Sequence, residues 1–331
     1  MEKKDRNIKY YLLLYAKGMG MGAADIVPGV SGGTIAFITG VYETLLQSLR
    51  SFTPYNFGKI FSEGVRSFWE TVNGNFLTAL LLGVATSIFT LAKVMLYLLE
   101  NQPVLIWSFF FGLILISTVS VLKTVKKTTL PVIAGFVAGT AAACLITSFS
   151  TMQTPDALWF IFISGAIAIC AMILPGISGS FILLLLGKYE YILAALAGMK
   201  ITVMAVFAGG AVVGLLSFSH FLSWLLKRFH DLTIALLAGF MCGSLNKVWP
   251  WKVQVDAATG QAYPWSISGL DHNMPDLVEK KLLPHDYAVQ TGFDGQLLPA
   301  VGMALLAIAV YWSIETAARK LKTQETCRSK H

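Results

Sequence analysis

Apolar runs about as long as a bilayer is thick set the first limit on this chain. Stretches 76–99, 103–122, 130–149, 200–226, 231–248 and 297–315 are such runs, and a helix of roughly 20 apolar residues crosses the hydrocarbon core. Lipid offers backbone N–H and C=O groups no partner, so each run must close its own hydrogen bonds as a helix. Composition agrees, because only 13% of the 331 residues are charged, against about 25% in a soluble domain. Alternating ten-residue segments are lacking, which argues against a β-barrel. The expected fold is an all-α integral membrane protein.

Two further stretches, 8–46 and 157–198, are built differently. Each is an apolar arm, a Pro-Gly break and a second apolar arm. Five breakers (Pro28, Gly29, Gly32, Gly33 and Gly40) interrupt the first. The segment PGVSGGTIAFITGVYE, Pro28 to Glu43, aligns without gaps with PGISGSFILLLLGKYE, Pro175 to Glu190, at an offset of 147 with eight of sixteen positions identical. An offset of 127 then sets Gly83 on Gly210, Gly112 on Gly239 and Ser117 on Ser244. A third offset sets Leu130-Pro131 on Leu298-Pro299. The chain therefore divides into two related halves, 1–150 and 151–331. Each is expected to hold one broken hairpin and three spans, with a long loop at 249–296 in the second. Internal repeats of this kind are a known construction of transporters.

Charge gives the orientation. Let each hairpin enter and leave on one side, with the basic amino terminus inside. Arg50, Lys59 and Arg66, then Lys123, Lys126 and Lys127, then Lys227 and Arg228, and finally the basic tail from Arg319 all fall inside. The short outer loops 100–102 and 150–156 contain no Lys or Arg, as the positive-inside rule requires. Three crossings per half make the second half inverted, so the re-entrant hairpins approach from opposite faces and their tips meet in mid-membrane. Both termini are expected in the cytoplasm. The basic stretch before YYLLLYA is read as retained, because the apolar run ends at Lys17 without a small-x-small cleavage site. Net charge is +7, but it sits in loops and tails, so nucleic acid is not an expected partner.

Irregular backbone at membrane depth must be buried in protein or line a wet cavity. Helices that restart after such a break present N–H groups and a positive dipole end, which suits an anion. Ser31, Gly32, Gly33 and Thr34 in the first copy, with Ser178, Gly179 and Ser180 in the second, are the candidate phosphate cradle. Packing of small residues is the competing explanation of the same glycines. The second copy has Met172, Ser180 and Phe181 where the first has Asp25, Gly33 and Thr34, so the two tips are not equivalent.

The duplicated P-G-[VI]-S-G, the preceding Asp25 and the following G-x-Y-E resemble the bacterial polyprenyl-phosphate transporter family, long catalogued as a domain of unknown function. The resemblance covers nearly the whole chain, and GAADIVPGVSGGTIAFITGVYE carries it most specifically. It implies return of undecaprenyl phosphate, the cell-wall lipid carrier, from the outer to the inner leaflet of the bacterial cytoplasmic membrane. A phosphate monoester with an isoprenoid tail needs an anion-binding centre that opens sideways to each leaflet in turn. Membrane lipids, a coupling proton or sodium ion and a second copy of the chain are the other partners considered. No cofactor is expected.

Asp25 is costly inside a membrane and is a candidate for coupling or for hydrogen-bonding the tip. Glu43 and Glu190 are candidates for similar work, against a simpler role as carboxylates at arm ends. Lys93 and His220 align at the 127 offset inside apolar spans. Each is a candidate for the phosphate path, against a snorkelling lysine and a packed neutral histidine. Lys17 and Arg50 flank the first hairpin and could attract head groups. Asp271, His272 and Asp276 do not make a convincing metal site. Cys144, Cys170 and Cys242 lie in apolar runs and Cys327 in the tail, with no C-x-x-C pair.

Two other functions remain open at this stage. An intramembrane undecaprenyl-pyrophosphate phosphatase also uses inverted repeats and Pro-Gly-x-Ser tips, but its tip continues into Ser-Arg-Ser. Here the tips read Ser-Gly-Gly and Ser-Gly-Ser, without an Arg for a transferring phosphoryl group. A small-anion channel or exchanger would look similar at this level.

Overall fold

The computed structural model describes residues 8–26, 30–148, 154–256, 260, 262–264 and 277–328. Helix α1 is Ile8–Ile26; the first Pro-Gly break, Pro28-Gly29, lies outside the described residues. The chain resumes as two short helices, α2 (Gly32–Ile38) and α3 (Tyr42–Arg50). Two surface helices follow, α4 (Pro54–Ser62) and α5 (Val65–Thr71). Then come α6 (Gly74–Asn101), α7 (Pro103–Leu122) and α8 (Leu130–Ser148). The second hairpin is α9 (Leu158–Ile173), α10 (Gly179–Leu185) and α11 (Tyr189–Ala197). After it run α12 (Ile201–Arg228) and α13 (His230–Ser244). The loop beyond holds strands β1 (Lys252–Asp256), β2 (Ala262–Pro264) and β3 (Leu277–Lys281), then α14 (Pro284–Thr291). The last helix is α15 (Leu297–Arg328).

The protein is mostly helical, and α6, α7, α8 and α12 are long and apolar enough to cross a membrane. Two of the six expected spans differ. The 231–248 run ends early as α13, at Ser244, because polar Asn246 and Lys247 and then Pro250 follow. The 297–315 run is the first part of the longer α15, with an apolar portion Leu297–Ser313. The second arm of each hairpin is also not one helix. It turns at Gly40 (φ +71°) and at Gly187 (φ +62°), 147 residues apart. Left-handed backbone of this kind favours glycine.

Two compact units make up the chain, Met1–Ala92 with Val121–Ser244, and Lys93–Ser120 with Leu245–His331. In the first, helices meet through backbone contacts that only small residues permit. A Cβ on Gly18 would strike the Leu80 carbonyl and one on Gly83 the Tyr15 carbonyl, while one on Gly22 would lie 2.5 Å from Val84 O. Residue numbers climb together on both helices, so α1 and α6 run parallel. The same pairing recurs 147 and 127 residues on: Gly165 lies against Phe207 O and Gly210 against Phe162 O. Helices α9 and α12 are therefore parallel too. Helices α8 and α13 pack through Gly139, Gly239 and Gly243.

In the second unit a Cβ on Gly112 of α7 would lie 2.5 Å from Ala304 O of α15. The loop reading left 249–296 without regular structure, and the described part instead forms an antiparallel sheet of order β2-β1-β3. Val104, Trp251, Val253, Leu282, Tyr287 and Ala300 form its core. Asp271, His272, Asp276 and Trp265 lie outside the described residues.

Candidate functional site: the paired hairpin tips

Ser31 begins α2 in extended backbone (φ −124°, ψ 132°), the usual geometry of a helix cap. Its Oγ accepts from Gly33 N at 3.1 Å. Asp25, at the end of α1, reaches across the break and accepts from Gly32 N at 2.7 Å. Thr34 N donates to Ser31 O at 2.9 Å. The first three N–H groups of α2 are thus engaged, two of them by side chains.

The second tip supplies the rest of the site. The single Ser31 hydroxyl proton is shared between Met172 O, 3.3 Å from Oγ, and Leu174 O, 3.4 Å from it. Gly176 N donates to Thr34 Oγ1 at 2.8 Å. Gly176 has φ +91°, a turn in which its N–H faces the first hairpin. The approach is close enough to demand glycine: a Cβ on Gly33 would lie 2.9 Å from both Ile173 O and Met172 O. Ser31 and Thr34 are fully buried. On the other side of the contact, Ser178 precedes α10 without capping it and instead pairs with Ser180 through Oγ atoms 2.7 Å apart. Gly179 is buried, with its Cα face 2.6 Å from Ala168 O at the position a Cβ would take.

The structure brings together Asp25, Ser31, Gly32, Gly33 and Thr34, joins them to the second tip through Met172, Leu174 and Gly176, and sets Ser178, Gly179 and Ser180 at the start of α10. The other candidates sit elsewhere. Lys17 Nζ donates to Thr39 O at 2.7 Å, across the first hairpin. Arg50 donates to Ser223 Oγ at 3.4 Å. Glu43 is exposed, 3.8 Å from His230 Nε2. His220 uses Nδ1 on Leu216 O of its own helix, at 2.8 Å. Lys93 is exposed on α6. The side chain of Glu190 lies outside the described residues. Among the described residues no cluster of His, Cys, Asp and Glu could hold a metal ion.

Sequence reasoning missed the carbonyls of Met172 and Leu174. Main-chain acceptors carry no residue signature, so nothing in the sequence marks them. Gly176 had a signal, as the glycine of the second Pro-Gly.

Long apolar helices packed through glycine, with polar hairpin tips joined by hydrogen bonds, define a multi-pass helical membrane protein. A family profile described as undecaprenyl phosphate translocase-like matches residues 21–263. The chain is 44% identical over 310 residues to a polyprenyl-phosphate transporter of Vibrio cholerae, covering 94% of this chain and 98% of that one. A polyprenyl-phosphate transporter of Staphylococcus aureus is 32% identical over 255 residues, 71% of this chain and 84% of its own length. No solved structure matches. The chain belongs to the undecaprenyl phosphate translocase-like family.

Proposed function

We propose that the protein returns undecaprenyl phosphate from the outer to the inner leaflet of the bacterial cytoplasmic membrane, serving lipid-carrier recycling for the cell wall. The relatives named polyprenyl-phosphate transporters support a polyprenyl phosphate as cargo and a transporter over an enzyme. The observation that carries the reading is the cross-tip contact, in which buried Ser31 and Thr34 meet Met172, Leu174 and Gly176.

In this reading the halves 1–150 and 151–331 are inverted repeats and the hairpins are re-entrant. The parallel pairs α1/α6 and α9/α12 support the return of each hairpin to the side it started from, since each second helix starts beside the first in the same direction. The phosphate head group binds between the tips, at Ser31, Gly32, Gly33 and Thr34 with Ser178, Gly179 and Ser180, while the tail stays in lipid. Alternating access then rocks one hairpin against the other.

Asp25 is the key to such a cycle. Its carboxylate holds the Gly32 N–H, and a phosphate cannot share that N–H with a second anion at contact distance. Uptake of a proton or a sodium ion by Asp25 weakens that hydrogen bond and lowers the repulsion, which links cargo binding to a coupling ion. The test is a leaflet-resolved assay of undecaprenyl phosphate in proteoliposomes, with wild type, Ser31→Ala, Asp25→Asn and Ser178→Ala. Transport by wild type and its loss in the variants is the expected result. Unchanged transport in all three variants overturns the cradle.

A further inference from the structure

Lys188 is a buried cation that the cradle does not use. It stands in the second G-x-Y-E, where the first copy has Val41. The side chain is 2% exposed. Its Nζ donates to Thr154 O at 2.8 Å and to Asp156 Oδ1. Two rings lie near it: the Phe160 and Tyr191 centroids are 5.8 and 5.6 Å from Nζ, within cation–π range. Asp156, in contrast, is 62% exposed.

This asymmetry has a chemical consequence. A buried ammonium needs an anion, and losing it is costly. The anion in place is a carboxylate that stands largely in water, so its departure costs little desolvation. An incoming phosphate monoester can displace it, bringing more charge and more acceptor oxygens to the same N–H donors. The aromatic rings and the Thr154 carbonyl hold Nζ in place during the exchange. The first hairpin has no such cation at this position, which suits a device needed on one face only.

We propose that Lys188 is a receiving station for the phosphate head group of a polyprenyl phosphate at the mouth of the second hairpin, loaded by exchange with Asp156. This rests on the transport reading above, whose topology puts that mouth on the outer side. Head groups arriving from the outer leaflet meet Lys188 before they reach the tips.

The test uses the purified full chain in nanodiscs, titrated with farnesyl phosphate, farnesol and inorganic phosphate. Lys188→Gln is expected to weaken farnesyl phosphate binding by about tenfold or more, and Lys188→Arg to retain most of it. Asp156→Asn is expected to tighten binding, because the competing anion is gone. Farnesol is expected not to bind. Lys188→Gln with wild-type affinity overturns the proposal and leaves the transport reading standing. Weaker binding in Asp156→Asn also overturns it, since a purely structural ion pair loses function from either side. Inorganic phosphate bound as tightly as farnesyl phosphate, and lost in Lys188→Gln, overturns the lipid assignment. A wild type that binds no farnesyl phosphate overturns the transport reading along with the proposal.

Discussion

Thr34 Oγ1 accepts the Gly176 N–H at 2.8 Å, joining two positions 142 residues apart in the chain. The contact is between a side chain of one hairpin and the backbone of the other, so it can be removed from one end only. Thr34→Val keeps the shape and deletes the acceptor. The buried N–H then lacks a partner, at a cost of about 1–3 kcal/mol. Thermal unfolding of the detergent-solubilised protein is expected to show the loss in Thr34→Val and little change in Thr34→Ser. Equal melting of Val and wild type would mean that the tips are not held by this bond.

Asp25 caps α2 from outside the helix. Asp25→Asn preserves an oxygen for Gly32 N, whereas Asp25→Ala does not, and the loss of such a cap costs about 1 kcal/mol. The alanine variant is expected to melt lower than the asparagine variant. Transport in proteoliposomes is expected to fall in both, because both lack a group that can take up a proton or sodium ion. An asparagine variant that transports normally removes Asp25 from coupling while leaving its capping role intact.

Two glycines of the first hairpin separate close approach from backbone conformation. A Cβ on Gly33 would press on the carbonyls of Met172 and Ile173, while one on Gly40 would meet nothing within 4 Å. Gly33→Ala is therefore expected to push the tips apart and abolish transport. Gly40→Ala carries only the strain of left-handed backbone, about 1–2 kcal/mol, and is expected to lower the melting temperature with transport retained. The pair is checked by running both assays on both variants. The reverse pattern would place the functional constraint at the turn and not at the tips.

The sheet unit has its own pH dependence. Lys252 Nζ lies 3.4 Å from the Trp107 ring centroid, donates to Lys247 O at 2.8 Å and is 4.0 Å from Glu279 Oε1. Burial pushes its pKa down to about 7; the Glu279 carboxylate opposes this, and Lys247 and Lys281 add to it. An unfolded lysine titrates at about 10.4. Across that window the unfolded chain holds a proton that the folded chain has released, so stability rises as pH climbs from about 7 toward 10. Below about 7 both states are protonated and the cost of the buried charge is present in full. Tryptophan fluorescence melts between these limits are expected to show the rise, and Lys252→Met is expected to flatten it. The same slope in the variant would assign the effect to another group.

Much of this architecture could be read from glycines. The hairpins, the break before Ser31 and the alignment of Gly83 with Gly210 are sequence features, because close helix contact and left-handed turns restrict residue type. Gly40 was visible as a breaker, yet its power to split the second arm into α2 and α3 was not, since the flanking residues are good apolar helix material. The site was legible on its side-chain half only. Ser31, Thr34 and Asp25 stand out as polar groups in an apolar chain. Their partners are the backbone groups of Gly32, Met172, Leu174 and Gly176, and any residue supplies a carbonyl. The sheet around Trp251 escaped notice because its strands are short and half polar, and β1 pairs with β3 across a long stretch of intervening chain.

The glycine contacts also date events in the history of the chain. Gly18 on Leu80 and Gly165 on Phe207 are one contact written twice, as are Gly83 on Tyr15 and Gly210 on Phe162. If the halves arose by duplication, a contact shared by both is older than the join, and the ancestral half-length polypeptide already clasped its hairpin to the helix behind it. At the aligned positions Lys188 and Val41 the two copies differ, so on the same supposition that position changed in one copy after the join.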